Sequence, residues 1–236
     1  MTYHITGIVS TLLYGLSVFG LWIQWKKIRE RKHMDLVEKP TAVISLNAIS
    51  MAFFAYYFLF FYGFALTRFN HYLVWPRMVA ITLSLMIMYE ILIDRKNLSA
   101  QIAFFGCGVL SLGGLIMMIF FRPTAMKLVD VSKGTLIANT FMLAQAGLHQ
   151  IILVLRSGKT GGIALRSQQL TLAKNLGNML FGLAMGTASG WPLVLLWGTD
   201  SLFKGILIYL FRWVKISPVA SRRREEKTEQ EHDPAQ

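Results

Sequence analysis

The stretch WPLVLLWGTDSLFKGILIYLF, residues 191–211, is long and apolar enough to cross a bilayer, yet Asp200 and Lys204 sit near its middle. A helix needs about 20 apolar residues to span the hydrocarbon. One charge at the centre of such a helix costs about 2.5–3.5 kcal/mol on insertion scales. The segment therefore sets two expectations. The chain is an integral membrane protein, and this acid and base persist because they pair, meet water or bind something. Lying four residues apart, they share one helix face and can pair directly.

Outward from this stretch the chain keeps the same character. Of its 236 residues, 54% are hydrophobic and 15% charged, against about 45–50% and 25% in soluble domains. Apolar runs of spanning length fall at 5–25, 41–62, 72–93, 100–121, 134–155, 167–186 and 191–212. The pattern predicts an all-α, multi-pass integral membrane fold of seven transmembrane helices. The 167–186 run is the weakest, because it contains Lys174, Asn175 and Asn178. Pro40, Pro76, Pro123 and Pro192 fall at or beside predicted helix ends, where a missing N–H costs least.

The net charge of +12, from 24 Lys+Arg against 12 Asp+Glu, raises nucleic acid as a partner. The basic residues lie in short runs between apolar stretches and belong to no nucleic-acid motif, so that class is set aside. Seventeen of them fall on the side of the loop KKIRERKHMDLVEK, DRKN, RSGKTGGIALR and the tail. Five fall opposite (Arg68, Arg77, Arg122, Lys127 and Lys133), and Lys174 and Lys204 lie within the membrane. By the positive-inside rule the N-terminus is outside and the C-terminus cytoplasmic. The first lysine is Lys26, so no basic segment precedes the first apolar run and a cleaved signal peptide is not expected. Residues 216–236 read as a disordered cytoplasmic tail. The lone cysteine, Cys107, excludes an intrachain disulfide and reads as a small buried residue. There is no HExxH, no GxSxG and no carboxylate–His cluster, so the chain does not read as an enzyme or a metal protein.

Two pieces of the chain echo each other. GLWIQWKKIRERKHMDLVEKPTAVISLNAIS and GLHQIILVLRSGKTGGIALRSQQLTLAKNLGN each carry Gly-Leu, then a Gln at the membrane edge (Gln24, Gln150), a basic loop and a polar helix entry. Trp-Pro recurs at Trp75-Pro76 and Trp191-Pro192. The expected organisation is two parallel three-helix repeats, 1–93 and 134–215, joined by a linker helix within 94–133, with the tail from 216 to 236. Such repeats place a binding site near the midplane.

On His149-Gln150, the loop GKTGGIA, the following NLGN and, more weakly, Ile23-Gln24, the chain resembles the PQ-loop family and the related SWEET (MtN3-type) seven-helix transporters. The resemblance spans residues 5–215. It implies a transporter of a small polar solute (an amino acid, organic acid or sugar), proton-coupled in some relatives, working by alternating access. In that reading Gln24, His149 and Gln150 are gating positions. Both family prolines are replaced here, by Ile23 and His149, so rocking needs another pivot, with Gly147, Gly177, Gly182 and Gly186 as candidates. Where sugar-carrying relatives use Asn, this chain has Ser84 and Asp200, which weighs against a sugar.

Counting depth at about 1.5 Å per residue puts Asp200 and Asn178 near the midplane. Lys204, Lys174, Asn175 and Gln145 then lie a turn or two nearer the cytoplasm, with His149, Gln150 and Asn47 lower still. Trp197 is one turn above Asp200. Together with Ser84 these form the expected substrate and proton site. One carboxylate cannot neutralise two ammonium groups, so Lys174 and Lys204 are expected to meet a carboxylate or phosphate while Asp200 exchanges a proton. The plainer alternative is a structural ion pair. Glu90, beside Asp94, Arg95 and Lys96, reads as a solvated carboxylate at the cytoplasmic edge.

Two other resemblances compete. Asp200-x-x-x-Lys204 in a seventh helix looks like the retinal site of microbial rhodopsins, which implies a Schiff base on Lys204 with Asp200 as counterion. Against it, position 80 is Ala80 rather than a carboxylate, and the 167–186 run has no Trp, Tyr or Pro. The KDEL-receptor fold is also related, and implies a receptor holding a carboxylate on Lys174 and Lys204. Outside the retinal reading no cofactor is expected. The expected partners are the solute and the lipid bilayer, and a homo-oligomer is left open.

Overall fold

The computed structural model describes residues 1–33, 41, 44–160 and 165–223. All regular structure among them is helical: α1 (Thr2–His33), α2 (Leu46–Ala65), α3 (His71–Arg95), α4 (Leu98–Phe120), α5 (Arg122–Lys127), α6 (Val129–Ser157), α7 (Leu165–Ala184) and α8 (Thr187–Ile216). Six of these, α1, α2, α3, α4, α6 and α8, are long and apolar enough to cross a membrane. The all-α membrane character expected from composition therefore holds. Besides the six-residue α5, the helix outside that set is α7, the run expected to be weakest, because Arg166, Gln168, Gln169, Lys174, Asn175 and Asn178 dilute its apolar residues.

The surface of α4 shows what these helices face. Leu98, Ile102, Phe105, Val109, Leu112, Ile116 and Ile119 recur at alternating steps of four and three and are all exposed. That spacing is one continuous helix stripe. A soluble monomer does not leave such a stripe in water; hydrocarbon is its natural solvent, and this is the helix of a multi-pass membrane protein. Cys107 lies on the packed side of α4 and is buried, as expected.

Helix ends depart from the apolar runs for local reasons. α1 continues to His33 instead of stopping near residue 25, because Lys, Arg and Glu are good helix formers once the helix enters water. Lys26 and Glu30 pair at 3.6 Å across one turn, and Arg29 lies over Trp25 at 5.3 Å. α2 starts later than expected, at the cap made by Ser45, whose Oγ accepts from the Ala48 N–H at 3.2 Å. Asn70 and Asn97 cap α3 and α4 in the same way, accepting from Leu73 N at 3.1 Å and Ala100 N at 2.9 Å.

Two prolines lie deeper than expected. Pro76 and Pro192 are each the sixth residue of their helix, α3 and α8. A proline there withholds the N–H that would bond the carbonyl four residues earlier. For Pro76 that carbonyl belongs to Tyr72, and it is taken instead by the next side chain, with Arg77 Nη1 donating to it at 3.1 Å.

The helices group into two packed units: Gly7–Leu136, and Met1–Thr6 with the described residues from Ile137 onward. The first has an aromatic-rich core, with Phe53, Phe60, Phe64, Ile81, Ile87 and Met88 all buried. α2 and α3 approach closely at Gly63, where a Cβ would come 2.9 Å from that of Leu73. Arg122, at the α4–α5 junction, donates to the carbonyls of Phe64, Leu66 and Thr67 at 3.3, 3.1 and 3.1 Å, so one guanidinium closes the end of α2. Asp94 accepts from the Thr41 N–H at 3.0 Å, and Arg95 donates to the Thr41 carbonyl at 2.7 Å, tying the chain before α2 to the end of α3.

In the second unit, Ile151, Val154, Leu207 and Leu210 make the core between α6 and α8. Phe203 lies against Gly147, where a Cβ would sit 2.6 Å from the ring. α7 and α8 form a tight hairpin around Gly186, whose φ of 82° suits glycine. A Cβ on Gly190 would fall 1.8 Å from the Gly182 carbonyl oxygen, so the two backbones touch there. Gly147, Gly182 and Gly186 are thus used for close packing and a turn.

The chain beyond 216 differs in part from the expected disordered tail. Residues 218–223 are helical, Ala220 is buried, and the Arg223 guanidinium donates to the Leu155 carbonyl near the end of α6. Residues 224–236 lie outside the described residues, as do the loop stretches 34–40, 42–43 and 161–164, which include part of the GKTGGIA loop.

Candidate functional site

The α7–α8 hairpin brings the central residues together. Asp200 on α8 receives the Asn175 Nδ2 donor of α7 on Oδ2 at 2.7 Å. Its other oxygen, Oδ1, faces Lys204 Nζ at 3.8 Å, one turn along the same helix. Both side chains keep some exposure, 14% for Asp200 and 20% for Lys204. Lys174, next to Asn175, carries its ammonium 5.7 Å from the centre of the Trp197 ring. Asn175 and Asn178 are fully buried and Trp197 nearly so.

This arrangement answers part of the charge question. Asp200 is shared by one ammonium and one amide, and the second ammonium rests on an aromatic face, an interaction of about 0.5–2 kcal/mol depending on desolvation. Asn175 Oδ1 is buried without a hydrogen-bond donor, as is the Ser201 hydroxyl beside Asp200 without a partner. The cluster therefore has a carboxylate, cations, an unused acceptor and an unused hydroxyl, a set able to bind a small polar solute and move a proton.

Other expected members lie elsewhere. Gln145 and His149 are exposed on α6, and Gln150 is half-buried there. Ser84, Asn47 and Gln24 belong to the Gly7–Leu136 unit. Ser84 is fully buried, but its hydroxyl donates to the Ala80 carbonyl of its own helix at 2.8 Å. Asn47 is exposed in the first turn of α2, and Gln24 is half-buried in α1.

The Gly7–Leu136 unit also contains charged groups read differently from sequence. Glu90 is not solvated: its side chain is 8% exposed and pairs with Lys32 of α1 at 3.0 Å. It borders a cleft of about 410 Å³ lined by Trp25, Arg29, Met86, Tyr89 and Phe104. Arg77, counted among the loop cations, lies inside α3 and is 0% exposed. Its guanidinium sits 4.0 Å from the centre of the Tyr14 ring. Among the described residues no carboxylate comes within 4.0 Å of it, and its Nε and Nη2 have no partner. Burying a cation without a counter-charge costs on the order of several kcal/mol even after relaxation. The Trp-Pro-Arg triplet was visible in the sequence; what buries Arg77, the Tyr14 ring of another helix, was not.

A comparison of the chain with protein-family models and with curated proteins finds no match. What the fold defines is a class: an all-helical, multi-pass membrane protein with a charged cluster in one helical hairpin.

Proposed function

We propose that the chain is a membrane transporter of a small polar solute, an amino acid or organic acid before a sugar, with the Asp200 cluster as its binding site. The observation that supports this reading best is the shared carboxylate. Asp200 is held by Asn175 at 2.7 Å and faced by Lys204 at 3.8 Å, with the Lys174 ammonium beside it on Trp197. In this reading Lys204 and Lys174 meet a solute carboxylate, and Asp200 exchanges the coupling proton. The seven-span, N-outside, two-repeat organisation and alternating access belong to the same proposal, supported by the PQ-loop/SWEET resemblance of residues 5–215.

The test begins with a visible spectrum of the purified protein with and without all-trans retinal. A band between 400 and 600 nm that bleaches with hydroxylamine would make Lys204 a Schiff base and end the transporter reading. With a colourless protein, melting temperature is then measured across amino acids, organic acids and sugars, since a ligand stabilises by mass action. The expected result is stabilisation by a carboxylate-bearing solute, lost in Lys174→Ala and Asp200→Asn, and uptake of that solute into proteoliposomes. Binding without uptake would favour a receptor of the KDEL-receptor kind.

A further inference from the structure

Arg77 offers a second, independent site. The sum of its surroundings leaves one part of the guanidinium unused. Its face is covered by the Tyr14 ring at 4.0 Å. Its Nη1 is engaged with the Tyr72 carbonyl at 3.1 Å, the acceptor that Pro76 leaves without a helical donor. Nε and Nη2 are buried and have no partner. These two nitrogens form one edge of the planar fork, with parallel N–H bonds spaced to meet the two oxygens of a carboxylate or phosphoryl group.

Two hydroxyls of α1 are also unsatisfied. The Tyr14 hydroxyl and the Thr11 hydroxyl, three residues apart on one face of α1, are buried and without hydrogen-bond partners. Tyr14 also packs edge-on against Tyr56 at 6.2 Å. No acidic side chain among the described residues is near enough to pair with the cation. A buried cation with two unsatisfied N–H groups and no carboxylate near enough to pair with it fits an anion rather than a cation or an apolar group. Lysine would meet the charge requirement; only arginine supplies the fork.

We propose that the Nε–Nη2 edge of Arg77, with the Tyr14 ring on its face, binds a two-oxygen anion: the carboxylate of a solute or the phosphoryl group of a lipid. The site uses residues of the Gly7–Leu136 unit alone and does not depend on the Asp200 cluster.

The experiment uses the full chain and has two arms. In the first, detergent-purified protein stripped of phospholipid is melted in acetate, in inorganic phosphate and in chloride at matched ionic strength. In the second, the protein is melted in nanodiscs of phosphatidylcholine with and without phosphatidic acid. Saturable stabilisation in the first arm identifies a soluble anion, and in the second a lipid headgroup. Arg77→Lys, which keeps the charge and loses the fork, is expected to weaken the response about tenfold or more, while Gly205→Ala, whose added Cβ meets nothing within 4 Å, keeps it. An equal response in wild type and Arg77→Lys, or none in either arm, overturns the proposal. Should Arg77→Lys fail to accumulate, a crystal structure of wild type with bromoacetate decides. A bromine anomalous peak or a lipid phosphate at the guanidinium edge supports the site, and an empty edge overturns it.

Discussion

Replacing Gly190 by alanine tests the α7–α8 contact most directly. The added Cβ would sit 1.8 Å from the Gly182 carbonyl oxygen, against the 3.4 Å at which ordinary contact begins. The obstacle is backbone, so no rotamer change relieves it, and the helices must part by roughly 1.5 Å at that point, beyond what packed interiors absorb without loss. Overpacking of a side chain costs about 1–3 kcal/mol, and a backbone clash belongs at or above the top of that range. The separation also pulls on the 2.7 Å bond between Asn175 and Asp200, whose partners lie on the two helices being parted. Gly205 on the same helix is the control: nothing lies within 4 Å of its Cβ position, and Gly205→Ala gains up to about 1 kcal/mol of helix propensity. Melting in detergent, followed by intrinsic fluorescence, should show Gly190→Ala well below wild type and Gly205→Ala at or above it. A Gly190→Ala protein that melts with wild type would refute the contact, and with it the account of how the hairpin holds the Asp200 cluster.

Three further outcomes follow from the same geometry. Asp200→Asn and Lys204→Met should each lower stability by about 1–3 kcal/mol by leaving the other charge unpaired, and the double substitution should recover much of the loss; additive losses in a melting-temperature cycle would mean that the 3.8 Å pair is not coupled. Trp197→Leu should cost more than Trp197→Phe, because phenylalanine keeps a π face for Lys174, a difference of about 0.5–1 kcal/mol readable by denaturation. Arg122→Ala should cost about 1.5–3 kcal/mol and speed amide exchange around residues 64–67, whose carbonyls it holds; unchanged exchange there would reject its role as a helix-end clamp.

Hydropathy reveals where a chain wants to leave water, and six of the seven apolar runs match helices long and apolar enough to cross a membrane. It says little about helix ends. α1 passes eight residues beyond its apolar run because a charged helix is stable in water, while α2 waits for Ser45 to cap it. α7 shows the opposite case: Asn175 and Lys174 face α8, so packing against that helix supports a segment of low apolarity, and only its weakness as a span was legible. In the candidate site, the Asp200–Lys204 spacing could be read from helical geometry, whereas depth counting set Asp200 level with Asn178 and it is Asn175 that bonds it. The placement of Lys174 over Trp197 could not, since it depends on the angle at which two helices cross. Charge counting misplaced Arg77 for a related reason. An arginine next to Trp-Pro looks like an interface residue, and only a tyrosine from another helix turns it inward.

The Pro76–Arg77 pair has a consequence for how this chain can change. The proline leaves a carbonyl without its donor, and the following guanidinium supplies one at 3.1 Å. Losing Arg77 first takes the guanidinium donor away from the carbonyl whose helical donor the proline withholds. Losing Pro76 first restores a helical N–H to that acceptor. The two substitutions therefore have a preferred order, and while Pro76 is held the arginine serves the backbone whether or not the other edge of its guanidinium has a ligand.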